Sequence, residues 1–167
     1  MYKSVIRVGA PRSGTNMLRD MLIELPGTGT WPCDEINYIW RHGNLGYSSD
    51  EFSPEMATPK VQKYIRSQFD KLAKVGNLDT VIEKTCANSL RVGFVDKIIP
   101  EAKYIFIVRD GMDAVGSALQ RWTASLDLSY ILQKARYVPP VDLPYYALRY
   151  LSHRMYRLVS REKRLAL

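Results

Sequence analysis

The sequence predicts an α/β domain of three layers, α/β/α, on a central parallel sheet, and three observations carry that reading. Short β-rich runs at residues 5–8, 80–83 and 102–108 are each followed by a polar loop and then by apolar residues at helical spacing. Strands that alternate with helices in this way pair in parallel through right-handed crossovers. The 167 residues, 46% hydrophobic and 11% aromatic, supply apolar material for one core, so residues 1–167 read as a single domain.

Taken in order, the first strand (Val5, Ile6, Val8) feeds a loop with Gly9, Pro11, Ser13 and Gly14. The loop opens into a helix with Met17, Leu18, Met21, Leu22 and Leu25 on one face, stopped by Pro26 and Gly27. Residues 27–31 read as loop. Residues 32–44 mix paired acids, aromatics and bases. That composition suits a cleft wall, and it equally suits a short helix packing Ile36, Ile39 and Trp40 inward. Residues 46–59 form a polar loop, and Thr58 and Pro59 make a cap and first turn. Val61, Tyr64, Ile65, Gln68, Phe69 and Leu72 then recur at helical spacing, with Gly76 as the stop.

The second strand, residues 80–83, exits through residues 84–89. Ser89 is placed to cap a helix with Leu90, Phe94, Val95 and Ile98 inside, closed by Pro100. Residues 102–108 form a continuous apolar run, as expected of a strand buried on both faces. Arg109, Asp110 and Gly111 lead from it into a helix with Ala114, Val115, Ala118 and Leu119 inward. After Pro139 and Pro140, residues 141–167 read as a final basic helix, with Leu148, Leu151, Met155, Leu158 and Val159 along one face.

A net charge of +7 implies an anionic partner, and five of those seven charges lie beyond Tyr145. Cys33 and Cys86 make no Cys-x-x-Cys pair, and His42 and His153 stand far apart, so no metal is expected. The N-terminus runs straight into the first strand, and no apolar run is long enough to span a bilayer. The expectation is a soluble cytoplasmic protein without a transmembrane segment.

In an open parallel sheet, ligands bind beyond the carboxyl ends of the strands. All three predicted strands place useful groups there: Arg12 to Asn16, then Lys84 and Thr85, then Arg109 and Asp110. The first loop is P-loop-like, since a strand, a tight glycine loop and a helix N-terminus aim backbone amides at one anion. Gly9 and Gly14 keep the separation of the nucleoside-triphosphate motif, but Thr15 stands where that motif needs Lys and Asn16 where it needs a hydroxyl for Mg²⁺. The cation has moved to Arg12. A nucleotide kinase or hydrolase therefore fits less well. A non-enzymatic polyanion-binding module would explain the basic tail but not three converging loops.

The run Pro11-Arg12-Ser13-Gly14-Thr15 after a strand, with Ile107-Val108-Arg109-Asp110-Gly111 and Ser117 downstream, closely resembles the sulfotransferases that use 3′-phosphoadenosine 5′-phosphosulfate (PAPS). Glu83-Lys84-Thr85 is similar to a stretch of the carbohydrate sulfotransferases, and the overall likeness is to bacterial members. The resemblance spans roughly residues 5–119. It implies transfer of a sulfonate from PAPS to a hydroxyl or amine of a carbohydrate or small molecule, leaving PAP, adenosine 3′,5′-bisphosphate, and needing no metal. It implies that Arg12, Ser13, Gly14, Thr15 and Asn16 hold the 5′-phosphosulfate, that Arg109 and Ser117 hold the 3′-phosphate, and that Lys84 lies near the sulfonate. On a helix, eight residues span slightly more than two turns, so Ser117 is able to face back toward Arg109.

For the base that deprotonates the acceptor, Glu35 is the first choice, Asp34 the second and His42 the third, with His153 read as a surface residue. The family usually runs longer, with a basic loop closing over the nucleotide, and nothing after Arg121 matches it. The resemblance thus implies an N-terminal portion whose last helix lacks a packing partner, with self-association expected and no nucleic-acid partner.

Overall fold

The computed structural model describes residues 2–33, 35–122 and 138–159. Its sheet comprises β1 (Lys3–Gly9), β2 (Thr28–Gly29), β3 (Thr80–Lys84) and β4 (Lys103–Ile107), all parallel, in the order β2-β3-β1-β4. The register sets Val5 beside Ile82 on one side and Lys103 on the other, and Val8 beside Phe106. The six helices described are α1 (Thr15–Ile23), α2 (Asn37–Trp40), α3 (Pro59–Gly76), α4 (Val92–Ile98), α5 (Gly111–Trp122) and α6 (Leu143–Val159), with 3₁₀ turns at Pro54–Met56, Cys86–Leu90 and Pro140–Asp142. This is the predicted three-layer α/β fold.

Alternation along β1 separates two faces. Ile6 and Val8, with Val81 of β3, join a buried cluster with Ile65 and Phe69 of α3, Phe94 and Ile98 of α4, and Trp40 of α2. Phe69 is the hub, since Trp31 and Trp40 both meet its ring edge-on, at centroid distances of 4.8 and 5.9 Å. Arg7 points to the opposite face, where its guanidinium donates to the carbonyl of Thr15 beneath α1. At the strand end, Gly9 is held by close approach. A Cβ there would lie 3.0 Å from the Ile107 carbonyl oxygen and 3.2 Å from Thr15 Cγ2.

Several elements depart from expectation for identifiable reasons. Residues 27–31 are not wholly loop, because Thr28–Gly29 adds a two-residue edge strand against β3. α3 ends at Gly76 as expected, and the left-handed cap (φ 49°) is supplied by Asn77, a conformation that asparagine tolerates. Ser89 does not cap α4. It donates to the Cys86 carbonyl inside a 3₁₀ turn, Leu90 is exposed, and the helix begins at Val92. Phe94, Val95 and Ile98 do pack inward.

β4 is not buried on both faces. It is an edge strand among the described residues, with Phe106 63% exposed and Val108 just beyond it 93% exposed. In α1, α5 and α6 the expected inner positions Met17, Met21, Leu25, Val115, Leu119, Leu148 and Leu151 face outward. Thr15 is a polar anchor in α1, and Asp142, just before α6, is another through its pair with His42, while Tyr146 of α6 packs against the core. The final helix begins at Leu143 after a 3₁₀ turn, not at residue 141. Asp34, residues 160–167 and the side chains of His153, Met155, Leu158 and Val159 lie outside the described part.

Candidate active site

Beyond the carboxyl ends of β1, β3 and β4 lies one cleft of about 340 Å³. Its floor comes from the loop after β1. Arg12 and Gly14 both take positive φ (68° and 84°), which turns the chain sharply into α1. Gly14 is the N-cap and offers no side-chain acceptor, so the first amides of α1 have no intrahelical partner. Gly14, Thr15 and Asn16 line the cleft. Ser13 does not; it is buried in the turn, with its amide on the Ala10 carbonyl. The Thr15 hydroxyl turns to Cys86, Oγ1 to Sγ 3.7 Å.

One end of the cleft is basic. Arg109, at the end of β4, donates through Nη1 to the Arg12 carbonyl at 2.9 Å, and Arg12 Nε donates to Ser117 Oγ at 2.9 Å. Arg109 and Ser117 are therefore brought to one place, as their spacing predicts, with Arg12 between them. α5 is aimed correctly because Asp110 caps it, its carboxylate accepting from the amides of Met112 and Asp113. Asp110 is thus a structural cap rather than a ligand group.

At the other end Lys84 and Glu35 pair, Nζ to Oε1 3.0 Å. The Cys86 amide donates to the same carboxylate oxygen at 3.3 Å. The Lys84 side chain is 5% exposed and that of Glu35 27%, so the carboxylate reaches the cleft while the ammonium is sunk behind it. Glu35 is carried by the segment before α2, fastened to β3 by the Ile36 amide donating to Thr85 Oγ1 at 3.3 Å. Both readings of residues 32–44 hold together: Ile36, Ile39 and Trp40 are buried, and Glu35 is left in the cleft wall.

His42 is not brought here. Its Nδ1 lies 2.7 Å from Asp142 Oδ2 and its ring stacks on Tyr64 at 3.8 Å, so it pins the start of α6 to α3. The cleft itself joins an uncapped helix terminus, two arginines and a hydroxyl at one end to a lysine–carboxylate pair at the other.

A model of the sulfotransferase family matches residues 4–165. The chain belongs to the sulfotransferase family. A search of curated proteins returned no match. Its membership makes this protein a transferase of sulfuryl groups.

Three features of this sulfotransferase's site were not legible by motif. Cys86 lines the cleft, its thiol pushed up to about 11 by burial and by the neighbouring Glu35, so it sits there as a neutral thiol. Its position directly after Lys84 and Thr85 is the one available signal. Arg7 lies beneath α1 with Nε and Nη2 lacking partners among the described residues, and burial lowers its pKa against the raising influence of Glu83.

The third is a polar network behind the cleft wall. Glu83 is wholly buried and accepts from Trp40 Nε1 at 3.1 Å and Asn88 Nδ2 at 2.9 Å. Arg91 joins Asn88 Oδ1 (2.9 Å), Asn37 Oδ1 (2.6 Å) and Asp50 (3.4 Å). Burial lowers Arg91 to about 10, partly offset by Asp50 and Glu83. These groups lock the segment bearing Glu35 onto the exit of β3.

Proposed function

We propose that this sulfotransferase moves a sulfonate from PAPS to an acceptor hydroxyl. The observation that carries the reading is the two-ended cleft. The donor's fit is supported by chemistry along the cleft: Arg109 and Ser117 suit the 3′-phosphate, and Arg12 with the uncapped helix terminus at Gly14 to Asn16 suits the 5′-phosphosulfate. Lys84 then offers positive charge to the sulfonate beside Glu35.

In this mechanism Glu35 takes the proton of the acceptor hydroxyl as its oxygen attacks sulfur in line. The new oxygen–sulfur bond forms as the bond from sulfur to the bridging phosphate oxygen breaks, and adenosine 3′,5′-bisphosphate leaves with that electron pair. Lys84 pairs with Glu35 before transfer and balances charge on the leaving oxygen during it. Catalysis is then chiefly positioning and charge stabilisation.

The test follows labelled sulfonate from PAPS into a panel of hydroxyl-bearing acceptors. Glu35→Gln is expected to lower turnover by about 10²–10⁴-fold, the usual contribution of a general base, while adenosine 3′,5′-bisphosphate binds as to the wild type. Unchanged turnover removes Glu35 from the mechanism, and a wild type that transfers nothing from PAPS removes the donor.

A further inference from the structure

We propose that Arg7, beneath the floor of the cleft, is a positioning residue for the donor's 5′ end: its charge and its hold on the Thr15 carbonyl strengthen the start of α1 as a seat for the 5′-phosphosulfate. The role rests on the donor reading above. Arg7 is 1% exposed, so it acts through α1 rather than by touching the ligand.

Its placement runs against stability. The sheet register sets Arg7 beside Lys84, and residues paired across neighbouring strands share a face, so two cations stand side by side. Lys84 is answered by Glu35 at 3.0 Å. Arg7 Nη1 donates to the Thr15 carbonyl, while its Nε and Nη2 have no partner among the described residues. Burial lowers its pKa, and the opposing influences of Glu83 and Asp20 fall short. Both carboxylates are engaged elsewhere: Glu83 accepts from Trp40 and Asn88 on the other face of the sheet, and Asp20 pairs with Arg19 at 2.8 Å. A helix start is already the positive end of its dipole, so a buried guanidinium there is disfavoured until an anion arrives.

The bond to Thr15 also carries a direction. The Thr15 carbonyl and the Asn16 N–H belong to one peptide unit, kept planar by resonance. A cation on the oxygen polarises that unit and makes its amide a stronger donor. Asn16 lines the cleft, and its N–H is among the first four of α1, which have no intrahelical partner. A phosphate or sulfate oxygen over this turn thus meets a polarised amide with a buried positive charge behind it.

The experiment measures, by calorimetry, the affinity of wild type, Arg7→Met and Arg7→Lys for adenosine 3′,5′-bisphosphate, 3′-AMP and inorganic pyrophosphate, together with the melting midpoint of each free protein. Arg7→Met should bind the bisphosphate about tenfold more weakly and 3′-AMP as the wild type does, because only the 5′ group sits over α1. The free Arg7→Met protein should melt at least as high as wild type, since an apolar chain replaces a buried cation without a carboxylate partner. Arg7→Lys keeps the charge and should hold bisphosphate affinity within about threefold, the single bond to Thr15 needing no guanidinium fork. Wild-type affinity in Arg7→Met, an equal loss for 3′-AMP, a loss that Arg7→Lys does not restore, or an Arg7→Met protein that melts lower or fails to fold would overturn the proposal. Neither nucleotide binding the wild type, while pyrophosphate binds and is weakened in Arg7→Met, would overturn the donor reading and leave the anion role of Arg7 standing; no binding of any of the three would overturn both.

Discussion

Glu35 gains its character from two neighbours, the Lys84 ammonium at 3.0 Å and the Cys86 amide at 3.3 Å, both on one of its oxygens. In the proposed mechanism the carboxylate takes the acceptor proton and the lysine answers the charge that develops on transfer. Lys84→Met, which keeps length and removes charge, is therefore expected to cut turnover by at least about a hundredfold. Adenosine 3′,5′-bisphosphate has no sulfonate and should bind within a few fold of wild type; calorimetry and a transfer assay on one preparation read both. Wild-type turnover in this variant would contradict the assignment. Glu83, one residue earlier, answers to burial instead. Desolvation lifts its carboxyl above the ordinary value of 4.5, against the hydrogen bonds of Thr85 and Trp40 and the Arg91 charge. Above about pH 4.5 the unfolded chain has released this proton while the folded protein still holds it, so stability falls as pH rises until Glu83 ionises in the fold. Glu83→Gln should remove that fall, seen as a flatter dependence of urea midpoint on pH; an unchanged slope excludes Glu83 as its source.

At the scale of elements, the helices divide by what anchors them. α3 is amphipathic around Phe69 and Ile65, and its inner face was readable from spacing alone because burial of apolar area decided it. α1, α5 and α6 carry equally periodic apolar residues, yet Met17, Val115 and Leu148 face outward. Their anchors are polar: Thr15 against Arg7, the local Asp110 cap, and Asp142 against His42 far away in sequence, none of which apolar periodicity encodes. The same reasoning gives a test. Asp142→Ala breaks the pair with His42 and should raise amide exchange through residues 140–150, with β1 and β3 still protected. Uniform loss of protection, or none, would show that α6 is held by something else.

For the whole molecule, the fold and the meeting of Arg12, Arg109 and Ser117 were legible because they depend on local signals: strand, glycine loop, helix, and the eight-residue step from Arg109 to Ser117. What escaped was the buried chain of Glu83, Asn88, Arg91, Asn37 and Asp50. Glu83 stands out in the sequence only through the Glu83-Lys84-Thr85 run, and the other members look like ordinary surface residues until β3 and the segment after α1 are packed together. On the proposed reading, Thr15 in place of a lysine separates this cleft from a Mg²⁺-nucleotide site, and the Arg109–Arg12–Ser117 cluster serves as a second anion anchor. That anchor is the central claim, and the thermal midpoint tests it most directly, since a ligand bound only by the native state raises the midpoint with its affinity. With equal concentrations of adenosine 3′,5′-bisphosphate and ADP, the wild type should be stabilised clearly more by the former, and Arg109→Ala should abolish the difference. Equal stabilisation by the two nucleotides, or a preference that survives in Arg109→Ala, would contradict it.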